Sequence, residues 1–188
     1  MVQWVSSRLC KISTFHRLIW LLSASVIVIV SIFGVVVGLI EYIESGRVTV
    51  GLALTEIEIP FPYFAKPITY LSVAVVSFVY ATLQIYRRKI ESFSKTTKSA
   101  LLLLSLSLSF LASYEVLYNF SIWNALITAD AIAGIVRIDN LEIAYPNPQT
   151  PWNLVFATKI FSAVTGASLY SLYFFLHLRE ENDLDVGK

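Results

Sequence analysis

Four long apolar segments dominate this sequence, and they constrain its fold more than any other feature. A helix needs about 20 apolar residues to cross the hydrocarbon core of a membrane. Of the 188 residues, 56% are hydrophobic and only 14% are charged, whereas soluble domains carry about 25% charged residues. The sequence predicts an all-α membrane protein, a single domain over residues 1–188 built as a bundle of four transmembrane helices at about 18–43, 67–88, 100–129 and 151–178.

The distribution of Lys and Arg predicts how these helices are oriented. Five basic residues lie in the connection 87–99, and three more lie between Arg8 and Arg17, ahead of the first helix. Cytoplasmic loops of membrane proteins carry an excess of such residues. We therefore expect the loop 87–99 and both termini in the cytoplasm, the loops 44–66 and 130–150 outside, and a multi-pass protein in the cell membrane.

Both outer loops contain short patterns that are typical of β-strands. Hydrophobic residues alternate with others over 48–54, as in a half-buried strand. In the second loop, β-branched stretches flank Asp139 and Asn140, a plausible tight turn. The two loops are predicted to pair into a small β-element. In the alternative, the third helix continues to about Ile138, because short apolar runs are ambiguous.

One carboxylate, Glu115, lies inside the third apolar segment. Every window of about 20 residues between Ser99 and Ala129 contains Glu115, which places it at membrane depth. Counting about 1.5 Å per residue puts Lys159 of the fourth helix at a similar height. Charged groups in membranes usually face the bundle interior and pair with one another. The sequence therefore predicts a Glu115–Lys159 ion pair, with Asn119 one turn away to satisfy the remaining lone pairs.

Three roles are open for this intramembrane pair. It can be a contact that makes the packing of the third and fourth helices specific. It can belong to an ion or proton path, or to a small-ligand site. In the third case, Lys159 extends to the interface and leaves Glu115 protonated.

Small residues recur at helical spacing in the first and fourth helices. They are Gly34 and Gly38 in the first, and Ala163, Gly166 and Ala167 in the fourth. Such a spacing lets two helix backbones approach closely. It predicts packing of the first helix on the fourth, and the alternative is docking against another membrane protein.

The sequence contains no recognisable catalytic, metal-binding or cofactor-binding motif. The single cysteine, Cys10, cannot form an internal disulfide or a cysteine zinc site. A net charge of +1 gives no electrostatic basis for nucleic-acid binding. We therefore predict that the protein is not an enzyme, holds no cofactor or metal and binds no nucleic acid. The two histidines, His16 and His177, leave open an electron-transfer anchor with a bis-histidine haem.

The predicted layout of four helices with an outer β-element is similar to that of claudins and tetraspanins. Those families hold their outer domains with cysteine pairs, and a chain with one cysteine cannot do so. The sequence therefore assigns no family. It favours a non-catalytic accessory or structural subunit of a larger membrane complex, with the lipid bilayer and other membrane subunits as partners. The alternative is a small transporter or ion-conducting or proton-conducting protein that uses Glu115 and Lys159.

Overall fold

Helices make up nearly all of the structure, a computed structural model that describes the backbone of residues 2–46, 50–60, 65–134 and 153–186 and the side chains of 14–46, 50–60, 65–134 and 153–178. The helices are α1 (Val2–Ser45), α2 (Leu52–Glu56), α3 (Pro67–Ile85), α4 (Arg87–Glu91), α5 (Lys95–Ile132) and α6 (Leu154–Val186). Four segments are long and apolar enough to cross a membrane: Thr14–Ser45, Pro67–Ile85, Lys95–Ile132 and Leu154–Leu178. The prediction of four helices that are long and apolar enough to span a membrane is confirmed.

Local capping chemistry sets where three of these helices begin. Pro67 opens α3, where its missing N–H is no loss because first-turn donors have no intrahelical partner. Ser94 caps α5, and its hydroxyl accepts a hydrogen bond from the Thr97 N–H at 3.1 Å. At the start of α6, the Asn153 side-chain oxygen accepts from the Phe156 N–H at 3.0 Å. The fourth helix therefore begins at Leu154 rather than at residue 151.

The spanning helices pack side by side in the order α1, α3, α6, α5. In the described part of the chain, α1 packs along α3 and α5 packs along α6, so α1 and α5 lie at the two ends of the row. Both end helices expose many large apolar side chains. Such a surface suits a membrane, because lipid tails are as apolar as the side chains they contact. The cytoplasmic location of both termini stays a prediction.

The first of the two loops that are predicted to lie outside contains a short helix where the sequence predicted a strand. Within the described residues 50–60 and 65–66, α2 covers Leu52–Glu56, and an isolated antiparallel bridge joins Ile59 to Ala65. The Val50 carbonyl accepts a hydrogen bond from the Asn153 N–H at 3.1 Å, which joins this loop to the end of the other one. Gly51 directly precedes α2 with a left-handed φ of 86°, which a regular strand does not allow. The helical turn buries Leu54 in a cluster with two α3 residues, Ile68 and Leu71. Burial of Leu54 outweighs the alternating pattern in Leu52–Glu56. The pairing of the two loops into a β-element stays a prediction, because residues 135–152 lie outside the described part of the chain.

The second outer loop is described only at its two ends. Helix α5 continues to Ile132, three residues beyond the predicted end at 129. Its C-cap is Ala133, and Gly134 follows with a positive φ of 70°. The stretch around Asp139 that was expected to form strands lies outside the described residues.

The small residues of the fourth helix lie at its contact with α3. A Cβ added at Gly166 would lie 3.4 Å from a methyl group of Val76 on α3. Ala163 and Ala167 are buried. Small side chains here let α3 and α6 approach closely. The neighbour of this face is α3 rather than the expected first helix.

Candidate functional site

The contact between α5 and α6 determines which side of α5 faces the rest of the protein. Ser109 and Ser168 are both buried, and their hydroxyl oxygens lie 3.0 Å apart. Each residue of an α-helix advances by about 100°. Tyr118, nine residues after Ser109, therefore points about half a turn away from α6. No other spanning helix packs along α5 in the described part of the chain, so the side of α5 that points away from α6 is left uncovered by the other spanning helices. We call it the outer side of α5.

Three residues on that outer side, Tyr114, Glu115 and Tyr118, form a polar patch that we call the α5 polar face. The tyrosines are 62% and 46% exposed, and their rings stack with centroids 6.2 Å apart. Glu115 is partly exposed and lies about 120° around the helix from Ser109. Among the described side chains, the Glu115 carboxylate and the two phenol hydroxyls have no hydrogen-bond or ion-pair partner. This polar patch therefore lies on a side of α5 that the described chain does not cover, at a position that the sequence predicts to be at membrane depth.

The structure does not bring Glu115 and Lys159 together. Lys159 is exposed, and it precedes Ser168 by nine residues, which places it about half a turn from the side of α6 that faces α5. Its backbone carbonyl accepts a hydrogen bond from the Ser72 hydroxyl of α3 at 3.3 Å. No ion pair joins the two side chains in the described part of the chain. The Glu115–Lys159 pair stays a prediction that no contact supports.

Asn119 has a different environment from Glu115, although the two are one helical turn apart. Asn119 is 1% exposed, whereas Glu115 is only partly buried. Asn119 follows Ser109 by ten residues, so it lies about 80° from it around the helix. Asn119 therefore lies closer to the α6 side of α5 than Glu115 does, at the border of the α5 polar face.

A second feature is a groove of about 420 Å³ beside the last turns of α1, which we call the α1 groove. Gly34 and Gly38 line it from α1, Leu54 lines it from α2, and Phe156 lines it from α6. A Cβ added at Gly34 would lie 3.2 Å from Leu54. The small residues of α1 therefore make space for α2 and for the groove. They do not form the contact with the fourth helix that the sequence predicted.

A polar cluster that sequence reasoning missed joins three of the spanning helices near the other end of α1. The Gln84 side-chain amide donates to the Tyr170 hydroxyl at 2.7 Å. The Tyr170 ring lies 5.2 Å from that of Tyr80, whose hydroxyl lies 3.3 Å from His16 Nε2. Gln84, Tyr170 and His177 also line a cavity of about 220 Å³. Because the bonded partners are 64 and 86 residues apart in the chain, no local pattern could have revealed the cluster.

Neither Glu115 nor Lys159 lines the α1 groove or the cavity near Gln84. The carboxylate of Glu115 therefore does not open into either of these two spaces. A carboxylate on an uncovered helix side suits a contact with a neighbouring helix better than it suits a passage for ions.

Comparison with known proteins provides no relative from which to transfer a function. No protein-family model, no curated protein and no solved structure matches this chain. The functional inference therefore depends on its own side chains and on the way the helix row exposes them.

Proposed function

We propose that this chain is a non-catalytic subunit of a larger membrane complex and that it binds a neighbouring subunit through the α5 polar face. The observation that supports this most directly is the position of Glu115. The sequence predicts it at membrane depth, and it lies on the side of an end helix that no other spanning helix of the described chain covers.

The energetics favour a protein neighbour over lipid at this position. A charged side chain at the bilayer centre costs about 2.5–3.5 kcal/mol on insertion scales. Hydrogen bonds between membrane helices contribute only about 0.6 kcal/mol on average and about 1.7 kcal/mol at most. A neighbour that merely hydrogen-bonds Glu115 thus offsets part of the cost, whereas a neighbour with a countercharge offsets more. The pair of tyrosine hydroxyls beside Glu115 adds to the benefit of a polar partner.

The chemistry of the face indicates what the neighbour offers. A carboxylate accepts hydrogen bonds, and a phenol both donates and accepts them. The matching surface is a transmembrane helix with a basic or hydrogen-bond-donating side chain at the depth of Glu115. Stacked, partly rigid tyrosine rings supply apolar contact area at little cost in conformational entropy.

The alternative of a transporter or ion-conducting protein has no comparable support. It requires a water-filled route to an intramembrane charge pair, and neither the α1 groove nor the cavity near Gln84 is lined by Glu115 or Lys159. No observation in the described residues favours this alternative over the subunit.

Site-specific photocrosslinking in the native membrane tests the proposal. A photoreactive phenylalanine analogue is placed at Tyr114 and, as the matched control, at Tyr173 on α6, because these two tyrosines are 62% and 64% exposed. The expected result is a discrete protein adduct from position 114 and none from position 173. Equal adduct patterns from both positions, or lipid adducts alone from position 114, would contradict the proposal.

A second experiment distinguishes binding of Glu115 to a neighbouring subunit from the predicted Glu115–Lys159 ion pair within the chain. Glu115→Gln removes the charge and keeps the shape, and Lys159→Met removes the other charge of the pair. We expect Glu115→Gln to reduce copurification of the partner in mild detergent by about tenfold, which corresponds to about 1.4 kcal/mol. Lys159→Met should leave copurification unchanged. Equal losses in the two variants would instead support the Glu115–Lys159 pair.

A further inference from the structure

The cavity near Gln84 is polar, in contrast to the α1 groove, and the proposed function does not use it. Its lining comes from the last turn of α3, the start of α4 and one face of α6. Five of its seven described lining residues have hydrogen-bonding side chains: Gln84, Arg87, Tyr170, Tyr173 and His177. All five can donate a hydrogen bond, and no described residue of the lining is acidic. The cavity therefore offers donors and positive charge, a combination that suits an anion.

The cavity lies at one end of the helix row, where two candidate membrane spans stop. Gln84 and His177 are each the second-last residue of their span, Pro67–Ile85 and Leu154–Leu178. Residues 87–98, which follow α3, contain five basic residues and one acidic residue, Glu91. Basic pockets at such positions between helices bind the headgroups of anionic lipids in other membrane proteins. The position of the cavity therefore agrees with its chemistry.

We propose that the cavity near Gln84 binds a phosphate group, with the Arg87 guanidinium as its charged partner and the Tyr170 hydroxyl as a hydrogen-bond donor. The phosphate belongs either to the headgroup of an anionic phospholipid or to free inorganic phosphate, because both present the same oxygen atoms. The proposal does not depend on the α5 polar face.

Arg87 has the chemistry that a phosphate requires. Its planar guanidinium carries five N–H donors and matches a phosphate with two parallel hydrogen bonds. One donor, the Nε–H, binds Glu91 at 2.8 Å, and the other four are on the two terminal nitrogens. The Arg87 and Glu91 side chains are 36% and 40% exposed, and exposed ion pairs of this kind contribute little to stability. The Glu91 carboxylate therefore competes only weakly with a phosphate at Arg87.

Gln84 determines how the Tyr170 hydroxyl is used. The Gln84 side-chain amide donates to the Tyr170 oxygen at 2.7 Å, so the hydroxyl hydrogen is left for a different acceptor. In the described part of the chain, no acceptor takes this hydrogen. A phosphate oxygen in the cavity is a suitable acceptor, because hydrogen bonds to a charged oxygen are about twice as strong as neutral ones.

The cavity has a buried wall and an exposed wall, so a ligand can reach it from the side. Phe174 and Leu178 are 5% and 2% exposed, whereas Tyr173 is 64% exposed and His177 is also exposed. The cavity volume of about 220 Å³ is far more than the about 10–15 Å³ that a single water needs. The cavity therefore has the access and the room that a group larger than water requires.

Ligand binding to the purified full chain tests the proposal with two probes. In the first arm, native mass spectrometry compares retention of phosphatidylglycerol with that of phosphatidylcholine of the same acyl chains. In the second arm, the unfolding temperature is measured in inorganic phosphate and in chloride at equal ionic strength, because a ligand that binds only the folded state raises it. We expect several-fold preference for phosphatidylglycerol or a phosphate-dependent rise. The first result assigns the phosphate to a lipid, and the second alone assigns it to the free anion.

Matched variants separate the cavity from the basic surface around it. Arg87→Gln should weaken binding about tenfold, because it removes a charge-assisted hydrogen bond. Arg88 is exposed and does not line the cavity, so Arg88→Gln should weaken binding at most about twofold. Glu91→Gln breaks the ion pair but keeps the guanidinium, and it should not weaken binding. Equal losses in Arg87→Gln and in either control would overturn the proposal.

The Tyr170 hydroxyl is tested without a change of charge. Tyr170→Phe should weaken binding several-fold, whereas Tyr80→Phe should leave it unchanged, because Tyr80 belongs to the same polar cluster but does not line the cavity. If Arg87→Gln does not fold, Arg87→Lys keeps the charge, loses the two parallel hydrogen bonds and should still bind more weakly than the unmodified protein. Equal retention of the two lipids, together with no effect of phosphate on the unfolding temperature, would overturn the proposal.

Discussion

Replacing Gly51 by alanine should destabilise the protein through one well-defined contact. Gly51 has a φ of 86°, and a Cβ at this position would overlap the ring of Phe156 and lie 2.6 Å from the Phe156 Cβ. The left-handed conformation costs a residue with a Cβ about 1–2 kcal/mol. Displacing a packed ring costs about 1–3 kcal/mol more. The expected loss in the free energy of unfolding is therefore about 2–5 kcal/mol.

Two other glycines provide controls for the backbone conformation alone. Gly46 and Gly134 have φ values of 68° and 70°, and a Cβ at either position would have no atom within 4 Å. Alanine at either position should lower the free energy of unfolding only by the cost of the left-handed backbone conformation, about 1–2 kcal/mol. Unfolding in detergent micelles, followed by circular dichroism, gives all three values. A loss at Gly51 no greater than at Gly46 and Gly134 would refute the packing of the outer segment against α6.

Substitutions at three further contacts test what organises the helix row. Asn153→Ala removes the cap of α6 and should reduce the free energy of unfolding by about 0.5–2 kcal/mol; an unchanged value would show that Asn153 is not the cap. Ser109→Ala and Ser168→Ala should each cost at most about 1 kcal/mol, and the double variant should cost less than their sum because the two hydroxyls interact; strict additivity would contradict that contact. Gly166→Leu should cost about 1–3 kcal/mol by separating α3 from α6, and a neutral result would argue against close packing at this position.

The structure also changes the interpretation of Glu115. The sequence predicts that an intramembrane charge is paired within its own chain, because an unpaired charge in lipid is unfavourable. The same physical reason supports a different conclusion once the neighbours are known, since Lys159 lies on the far side of α6 and α5 is an end helix. The cost of the charge then favours a partner in another chain.

The sequence by itself determined that this chain forms four helices long and apolar enough to cross a membrane. A helix satisfies its backbone hydrogen bonds within its own segment, so length and apolar composition are enough to identify one. The same local information predicts that Glu115 lies at membrane depth between Ser99 and Ala129. It also selected Gly34 and Gly166 as positions of close approach, and close neighbours lie at both.

The tertiary structure alone decided which helices are neighbours and which sides remain uncovered. The Ser72–Lys159 and Gln84–Tyr170 contacts join residues 87 and 86 positions apart, and no periodicity within one helix encodes such a choice. Burial of Leu54 against α1 and α3 likewise decided that Leu52–Glu56 forms a helical turn, although the alternating pattern predicted a strand. Local patterns fix what each segment can form, whereas the order α1, α3, α6, α5 depends on how whole surfaces fit together.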